Sequence, residues 1–356
     1  MPLGSIVGAS WYSRTRPRVA NPGWDVELLY ATTTSDGTPI DQAADPNGKN
    51  AVAARAAEAH GNLGLRVLVR VDYAQGQSVP PTGDNAARTE YVRFLETICR
   101  DDVYRQNVFG YIIGNEFNWR DENRQLNWTG GARLSPDWYA RMFNGYGADA
   151  TDQGNAYSFI RTHQPGAWVL VGAVAPWNQD SEGDALERWR IDVPWLNYFY
   201  AVCRRISSTG RDFGRWPDGF AIHAYGRTQG PGSPSFTRNE PHTNVPFTDQ
   251  GDQGGFRVYR DWTAIMDGAG FTPDLPIFVT ETNTRTDGEH VSSRTYPSGW
   301  YLEALRELQA AGGRFHALCW FVDDPTGGWE DERLTSPQGN CVQAEADFNA
   351  ALADGF

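Results

Sequence analysis

Two glutamates in this chain each close an apolar run typical of a buried β-strand. Glu116 ends the segment GYIIGNE (110–116), and Glu281 ends PIFVTE (276–281). When two carboxyl groups share a site, one can protonate a leaving oxygen while the other attacks the adjoining carbon, as hydrolysis of a glycosidic bond requires. Covalent attack needs the two groups only about 5–5.5 Å apart. The pair therefore predicts catalysis if the fold brings the two strand ends together.

The elements that must position these glutamates alternate along the chain. Strand-like runs occupy residues 5–9, 26–31, 66–73, 108–115, 168–174, 219–225, 276–280 and 316–321. Several are continuously apolar, which is typical of parallel strands buried on both faces. Helix-like segments separate most of them, at 49–60, 85–103, 136–163, 184–208, 254–269, 298–311 and 342–353. This alternation predicts a single α/β domain over residues 1–356, a (β/α)8 TIM barrel with Glu116 and Glu281 ending the fourth and seventh strands.

An open, doubly wound sheet is the alternative fold. The segment 10–25 contains Pro17 and Pro22 and is too irregular for a full first helix. A doubly wound sheet usually carries a G-x-G-x-x-G turn after its first strand, and this sequence has none. The barrel is therefore the preferred architecture.

Loop lengths differ between the two ends of the predicted strands. Segments that lead into strands are short, whereas those that leave them are long, above all 117–135, 226–255 and 282–297. Since a barrel builds its active site from the loops after its strands, this asymmetry predicts a cleft at the C-terminal face. Aromatic rings pack well on the apolar faces of pyranose rings. We expect sugar contacts from tryptophans in these loops, at Trp119, Trp177 and Trp329.

The Asn-Glu pair ending the fourth strand and the glutamate ending the seventh resemble clan A of the glycoside hydrolases. That clan comprises retaining (β/α)8 enzymes, among them cellulases, mannanases, xylanases and several exo-glycosidases. The resemblance covers the whole chain as architecture and a handful of residues as motif. It implies that Glu116 is the acid/base, that Glu281 is the nucleophile, and that Asn115 binds the 2-hydroxyl of the sugar being cleaved.

Further residues match the clan at other strand ends. His223-Ala224-Tyr225 resembles the H-x-Y seen after the sixth strand of many members, which implies that Tyr225 contacts the nucleophile. Trp320, on the eighth strand, matches the tryptophan that floors the cleavage subsite. Taken alone, His223 is better explained as a structural histidine and Trp320 as a core residue. The pairing with Tyr225 and the strand-end position make the two explanations of His223 equal, and only its position moves Trp320 towards the site. The exact family within the clan stays open.

The sequence departs from the clan pattern at two places. Phe117 follows Glu116, where many members carry proline. Arg70 is our candidate for the arginine beside the nucleophile, but it lies on the third predicted strand instead of the second. Arg70 and Asp72 share side-chain parity, so both could point into the top of the barrel. A plain buried ion pair explains them equally well.

Composition narrows the possible partners. The formal net charge is −13, so an acidic surface disfavours nucleic acid and anionic membranes. We expect a polysaccharide or oligosaccharide substrate and a monomer. The segment 1–5 lacks the basic region and apolar core of a signal peptide, although an extracellular or periplasmic location would suit a polysaccharide.

Other catalytic classes lack their motifs. The six histidines form neither H-x-H nor H-E-x-x-H, there is no C-x-x-C, and there is no G-x-S-x-G. We therefore expect neither a metal site nor a cofactor. Cys99, Cys203 and Cys319 are predicted to be buried, while a Cys319–Cys341 disulfide stays undecided. A non-catalytic carbohydrate-binding barrel is the rival function, and endo-action is preferred over exo-action.

Overall fold

The structure is a computed structural model. It describes residues 7–10, 23–34, 36–119, 122–123, 134–147, 154–176, 189, 193–227, 256–285, 296, 298–323, 334 and 342–356. Among the described helices, none is both long and apolar enough to cross a membrane.

Eight parallel strands close into a barrel, which confirms the predicted fold class. The strands are β1 (Val7–Ser10), β2 (Trp24–Tyr30), β3 (Arg66–Asp72), β4 (Val108–Ile113), β5 (Trp168–Val171), β6 (Gly219–His223), β7 (Ile277–Thr282) and β8 (Phe315–Trp320). Each strand pairs with its sequence neighbours, and β8 pairs with β1 to close the ring. Because all strands run the same way, the ends that carry Glu116 and Glu281 face the same opening.

Alternate side chains of the strands fill the barrel interior. This inner cluster consists of Trp24, Val26, Leu68, Ile112, Leu170, Ala221, Phe278, Ala317 and Cys319. Trp24 is fully buried, and a Cβ on Gly8 would approach its Cβ to 2.7 Å. Glycine at position 8 thus leaves room for the indole ring. The opposite faces of the strands pack under the helices in a larger apolar layer.

Nine α-helices surround the barrel in the described part of the chain. They are α1 (Lys49–Gly61), α2 (Asn85–Arg100), α3 (Asp102–Asn107), α4 (Pro136–Asn144), α5 (Ala156–His163), α6 (Pro194–Phe213), α7 (Tyr259–Gly268), α8 (Trp300–Ala310) and α9 (Val342–Asp354). Side-chain caps begin several of them, since Asp84, Ser135 and Asn155 each accept a hydrogen bond from a backbone N–H in the first turn.

Two helices predicted as continuous are divided. Asp101 adopts an extended conformation, which ends α2, and its carboxylate caps α3 through the Val103 N–H. The predicted helix 136–163 ends instead at Gly145, whose left-handed conformation closes α4, and a new helix begins after Asn155. Cys99, Cys203 and Cys319 are buried free thiols, as predicted. Cys341 lies outside the described residues.

Candidate active site

Glu116 lies in a sharp turn directly after β4. Its φ is +39°, in the left-handed region, where residues other than glycine rarely occur. The backbone N–H of Trp119 donates to the Glu116 carbonyl oxygen at 2.7 Å, which closes the turn. Gly114, with φ +72°, precedes it, and a Cβ there would lie 2.5 Å from Val79 Cγ1. Such an unfavourable backbone persists only where its surroundings hold it, and it often marks a functional site.

Packing on both sides of Glu116 fixes this turn. The Phe117 ring is fully buried and stacks on Tyr139 with 3.7 Å between ring centroids. Ser78 Oγ accepts a hydrogen bond from the Asn115 backbone N–H at 2.8 Å. Phe117, which the sequence showed only as a departure from proline, therefore anchors the residue beside it through aromatic packing.

Glu281 lies on β7, within the hydrogen-bonded ladder of the barrel. The Tyr225 hydroxyl donates to its Oε2 at 2.6 Å, and Arg70 Nη1 lies 3.3 Å from its Oε1. Both donors are largely buried. Hydrogen bonds to a charged group are stronger than neutral ones, so these contacts hold Glu281 as an oriented carboxylate.

His223 joins the two glutamates. Its Nδ1 lies 2.8 Å from Glu116 Oε1 and 3.4 Å from Glu281 Oε2, and its side chain is 1% exposed. One carboxylate oxygen of Glu116 lies within 4.8 Å of one of Glu281. The structure therefore brings the two sequence-predicted carboxyl groups together at one opening of the barrel.

Arg70 connects two carboxylates across the barrel mouth. Its guanidinium contacts Asp72 Oδ2 at 3.0 Å as well as Glu281, so the arginine on the third strand does reach the predicted nucleophile. Burial pulls the pKa of Arg70 down, but neighbouring carboxylates, Asp72 foremost, outweigh it and raise the pKa. Burial also raises the pKa of Asp72 to about 6, with Arg70 acting in the opposite direction. Asp72 therefore orients Arg70.

Some of these polar groups line a small pocket. A small pocket at the carboxyl ends of the strands brings together Ser10, Val26, Glu27, Leu28, Arg70, Ile112, Asn115, Thr280, Glu281 and Phe321. Asn115 is 4% exposed and lines this pocket together with Glu281, and its predicted contact with the 2-hydroxyl of a sugar stays a prediction.

The prediction that Trp320 floors the site is wrong. Trp320 is fully buried in the outer layer, edge-on to Tyr296 and Tyr301, because Ala317 and Cys319 are the β8 residues that point inward. Phe321 lines the pocket instead, where its backbone N–H donates to the Thr282 carbonyl oxygen at 2.9 Å. The aromatic residue facing the site thus lies one position further along the chain.

The loop tryptophans are only partly described. Trp119 is half-buried in the turn after Glu116, and its carbonyl oxygen accepts a hydrogen bond from Asn123 Nδ2 at 2.7 Å. Trp177 and Trp329 lie outside the described residues. Their predicted sugar contacts stay predictions.

Sequence reasoning missed Glu122, which the fold brings to the same opening. Burial raises the pKa of its carboxyl to about 8; Arg70 opposes the shift, and Glu116, Asp72 and Glu281 add to it. No motif marks this residue, because it belongs to a loop whose position depends on the folded barrel.

The two glutamates and His223 could also hold a cation. Ligand atoms of Glu116, His223 and Glu281 lie within 4.8 Å of one another, the only such group found in the described part of the chain. However, Arg70 places a positive charge 3.3 Å from Glu281, which opposes a second cation there. The donor set therefore fits paired carboxylates better than a metal site.

Comparison with known proteins supports the fold. No known protein family and no curated protein matches the chain by sequence. Among solved structures, it resembles a glucosidase from Croceicoccus marinus, with a TM-score of 0.53, 14% identity, and coverage of 99% of this chain and 66% of that one. The chain shares the (β/α)8-barrel fold of that structure. It spans just under two thirds of that glucosidase.

Two further structures are similar to comparable extents. The endo-beta-1,4-mannanase from Thermotoga petrophila gives a TM-score of 0.53 at 12% identity, over 98% of this chain and 76% of the mannanase. The endocellulase from Pyrococcus horikoshii gives 0.50 at 12% identity, over 98% of this chain and 92% of the endocellulase. At such low identity the likeness establishes the barrel alone, and function has to be argued from the site.

Proposed function

We propose that this chain is a retaining glycoside hydrolase in which Glu281 is the nucleophile and Glu116 the acid/base. One observation carries the proposal: carboxylate oxygens of the two residues lie within 4.8 Å of each other. Retaining glycosidases hold their carboxyl groups about 5–5.5 Å apart, whereas inverting ones leave about 6.5–9.5 Å for a water molecule. The spacing favours direct attack.

In the first step, a Glu281 oxygen forms a bond to the anomeric carbon while the bond from that carbon to the leaving oxygen breaks. Glu116 gives its proton to the leaving oxygen, and the product is a glycosyl ester of Glu281. Tyr225 and Arg70 orient the attacking carboxylate. Asn115, which lines the pocket together with Glu281, is our candidate for binding the 2-hydroxyl of the sugar.

In the second step, Glu116 takes a proton from water as the water oxygen attacks the anomeric carbon. The ester bond breaks, Glu281 leaves as a carboxylate, and the sugar regains its original configuration. His223 contacts both carboxylates and so holds them at a fixed separation through both steps. Because Glu281 must be ionised and Glu116 protonated at the start, we expect a bell-shaped pH profile.

The substrate we propose is a polysaccharide or oligosaccharide, bound by a monomer without nucleic acid or membrane. Endo-action is preferred because the loops after the strands are long and aromatic, with tryptophans at 119, 128, 177 and 329. The neighbouring mannanase and endocellulase are endo-enzymes by name, and the glucosidase is not. Product lengths from a panel of glycans decide between the two modes.

Azide rescue tests the assignment of both glutamates. In Glu116→Ala, a 2,4-dinitrophenyl glycoside still reacts, because its leaving group departs without a proton. The glycosyl-enzyme then accumulates, and azide attacks it to give a glycosyl azide of retained configuration. In Glu281→Ala, azide attacks the substrate itself and gives the inverted product. Natural substrates lose about 10²–10⁴-fold in kcat/KM in Glu116→Gln, the range for general acid catalysis.

Glu303→Gln is the matched control, since Glu303 is exposed on α8. The panel contains dinitrophenyl glucosides, mannosides and xylosides in both anomeric forms. Azide products of the same configuration from both alanine variants would refute the assignment. If the parent protein binds oligosaccharides but hydrolyses neither them nor the panel, the non-catalytic carbohydrate-binding function replaces the proposal.

A further inference from the structure

The hydrogen-bonded ladder of the barrel gives way to a turn just before the proposed acid/base. β4 ends at Ile113, and the Gly114 N–H donates to the Val71 carbonyl oxygen of β3 at 3.2 Å. Gly114 and Glu116 then adopt left-handed backbone conformations, with φ of +72° and +39°. A glutamate rarely holds such a conformation unless its surroundings impose it. The support for Glu116 therefore has to come from outside β4.

Ser78, in the loop after β3, supplies this support on one side. It is fully buried, and its Oγ accepts a hydrogen bond from the Asn115 backbone N–H at 2.8 Å. The packing is close, since a Cβ on Gly114 would lie 3.0 Å from the same oxygen. The hydroxyl of Ser78 thus fixes the backbone at the residue immediately before Glu116.

The loop after β3 holds Ser78 in place. The Tyr73 N–H donates to the Ser78 carbonyl oxygen at 3.0 Å, and Ala74 and Gln77 exchange two backbone hydrogen bonds of 2.9 Å. Gly76, with φ +72°, forms the turn between them. Ser78 is therefore tied to the end of β3 by a short closed loop, so the acceptor for the Asn115 N–H is positioned by the barrel wall.

The same loop also holds the residue after Glu116. Gln77 Nε2 donates to Asn123 Oδ1 at 3.2 Å, and Asn123 Nδ2 donates to the Phe117 carbonyl oxygen at 3.3 Å. Gln77 and Asn123 are both buried, where a polar group that loses its partner is costly. Residues 77 and 78 thus hold the backbone on both sides of Glu116.

We infer that Ser78 is a positioning residue for the acid/base, which acts through the Asn115 N–H to direct the Glu116 carboxyl towards the leaving oxygen. Ser78 does not touch the substrate, because it is fully buried. In Ser78→Ala the Asn115 N–H loses its acceptor, the turn relaxes, and the Glu116 carboxyl moves from the point where its proton is needed. The inference rests on the proposed glycosidase function and adds a residue to its machinery.

The two glutamates have separate supports. Glu281 lies within the β7 ladder, and its carboxylate is held by Tyr225 and Arg70. Loss of the Ser78 hydroxyl should therefore impair proton transfer by Glu116 and leave the attack by Glu281 intact.

The activity test compares two aryl glycosides of the same sugar. A phenyl leaving group needs the proton of Glu116, whereas a 2,4-dinitrophenyl group departs without it. The readout is kcat/KM for the dinitrophenyl glycoside divided by that for the phenyl glycoside, so a loss common to both substrates, such as a shift of Asn115, cancels. In Ser78→Ala this quotient should rise about 10- to 100-fold above the wild type, because general acid catalysis contributes about 10²–10⁴-fold and a misplaced group loses part of it. An unchanged quotient overturns the inference.

Ser207→Ala is the matched control. Ser207 is buried on α6, and its hydroxyl donates to the Ala269 carbonyl oxygen at 2.7 Å, so this substitution also removes a buried hydroxyl that is bonded to the backbone. It should leave the quotient unchanged. An equal rise in Ser207→Ala would show that the quotient reports general destabilisation, and that result also overturns the inference.

Hydrogen–deuterium exchange tests the contact without turnover. In Ser78→Ala the peptide 108–117 should take up about one more deuteron than in the wild type while the other strands stay protected, because the Asn115 N–H has lost its acceptor. Equal uptake in the two proteins overturns the inference even if no glycoside is hydrolysed. Greater uptake combined with absence of turnover in every protein overturns the proposed function instead.

Discussion

Tyr225→Phe separates the two chemical steps of the proposed mechanism. The substitution removes only the hydroxyl that donates to Glu281 Oε2 at 2.6 Å, and the ring stays in its buried position. In the first step Glu281 loses negative charge as it attacks, so this hydrogen bond weakens. In the second step Glu281 regains its charge as it leaves, so the hydrogen bond strengthens towards the transition state and accelerates the reaction.

The size of the effect follows from the strength of one hydrogen bond to a carboxylate. Such a bond contributes about 1.5–3 kcal/mol. If about half of the charge has returned at the second transition state, the loss is about 0.75–1.5 kcal/mol, or roughly 4- to 13-fold in rate. His223 Nδ1, at 3.4 Å from the same oxygen, remains as a neighbour and limits the loss.

Stopped-flow kinetics with a dinitrophenyl glycoside measures both steps. The burst of dinitrophenolate reports formation of the glycosyl-enzyme, and the steady state reports its hydrolysis. We expect the burst rate constant to stay the same or rise, because the hydrogen bond weakens in the first step, while the steady-state rate falls by the factor above. The glycosyl-enzyme then accumulates and is visible as a mass increase of the intact protein.

Tyr259→Phe is the matched control, because the Tyr259 hydroxyl donates to Glu307 at 3.0 Å on the outer helices. It should change neither rate constant. If Tyr225→Phe slows formation of the glycosyl-enzyme more than its hydrolysis, Glu281 does not leave as a carboxylate and the roles of the two glutamates are misassigned.

Two other predictions concern the aromatic lining of the site and the independence of turnover from metal ions. Phe321→Ala should raise KM about 2- to 13-fold through the loss of ring stacking on the sugar. Trp320→Ala should lower the free energy of unfolding, measured in urea, by about 3–5 kcal/mol with little change in KM. The opposite pattern would show that Trp320, and not Phe321, contacts the substrate. Dialysis against EDTA should leave turnover unchanged, because Arg70 and Tyr225 already neutralise and orient Glu281; a loss restored by added Zn²⁺ would identify the Glu116, His223 and Glu281 group as a metal centre.

The barrel could be predicted because its strands are buried on both faces. Runs such as Trp168–Val171 are apolar throughout, and every predicted strand begins within two residues of its observed start. Helix ends were harder to predict. Asp101 and Gly145 interrupt segments of good helical composition through local backbone conformation, which a periodicity argument does not resolve.

The site could be predicted only where strand ends carry distinctive residues. Glu116, Glu281, His223, Tyr225 and Arg70 all meet at one opening. Trp320 was misplaced because the strand is apolar from Ala317 to Trp320 and offers no alternation there from which to read which side chains face inward. Glu122 could not be found at all, since no motif marks it and its contact with Ser78 depends on the loop after β3 meeting the turn after β4.

The double contact of Ser78 has a consequence for protein engineering. A single serine ties Asn115, through its hydroxyl, and Glu122, through its amide, to the segment that follows β3. The loops after β3 and β4 therefore behave as one module. A graft that moves loops between related barrels would have to exchange residues 73–79 and 114–123 together. A change of length in either segment would break the hydrogen bonds that join Ser78 to Asn115 and Glu122.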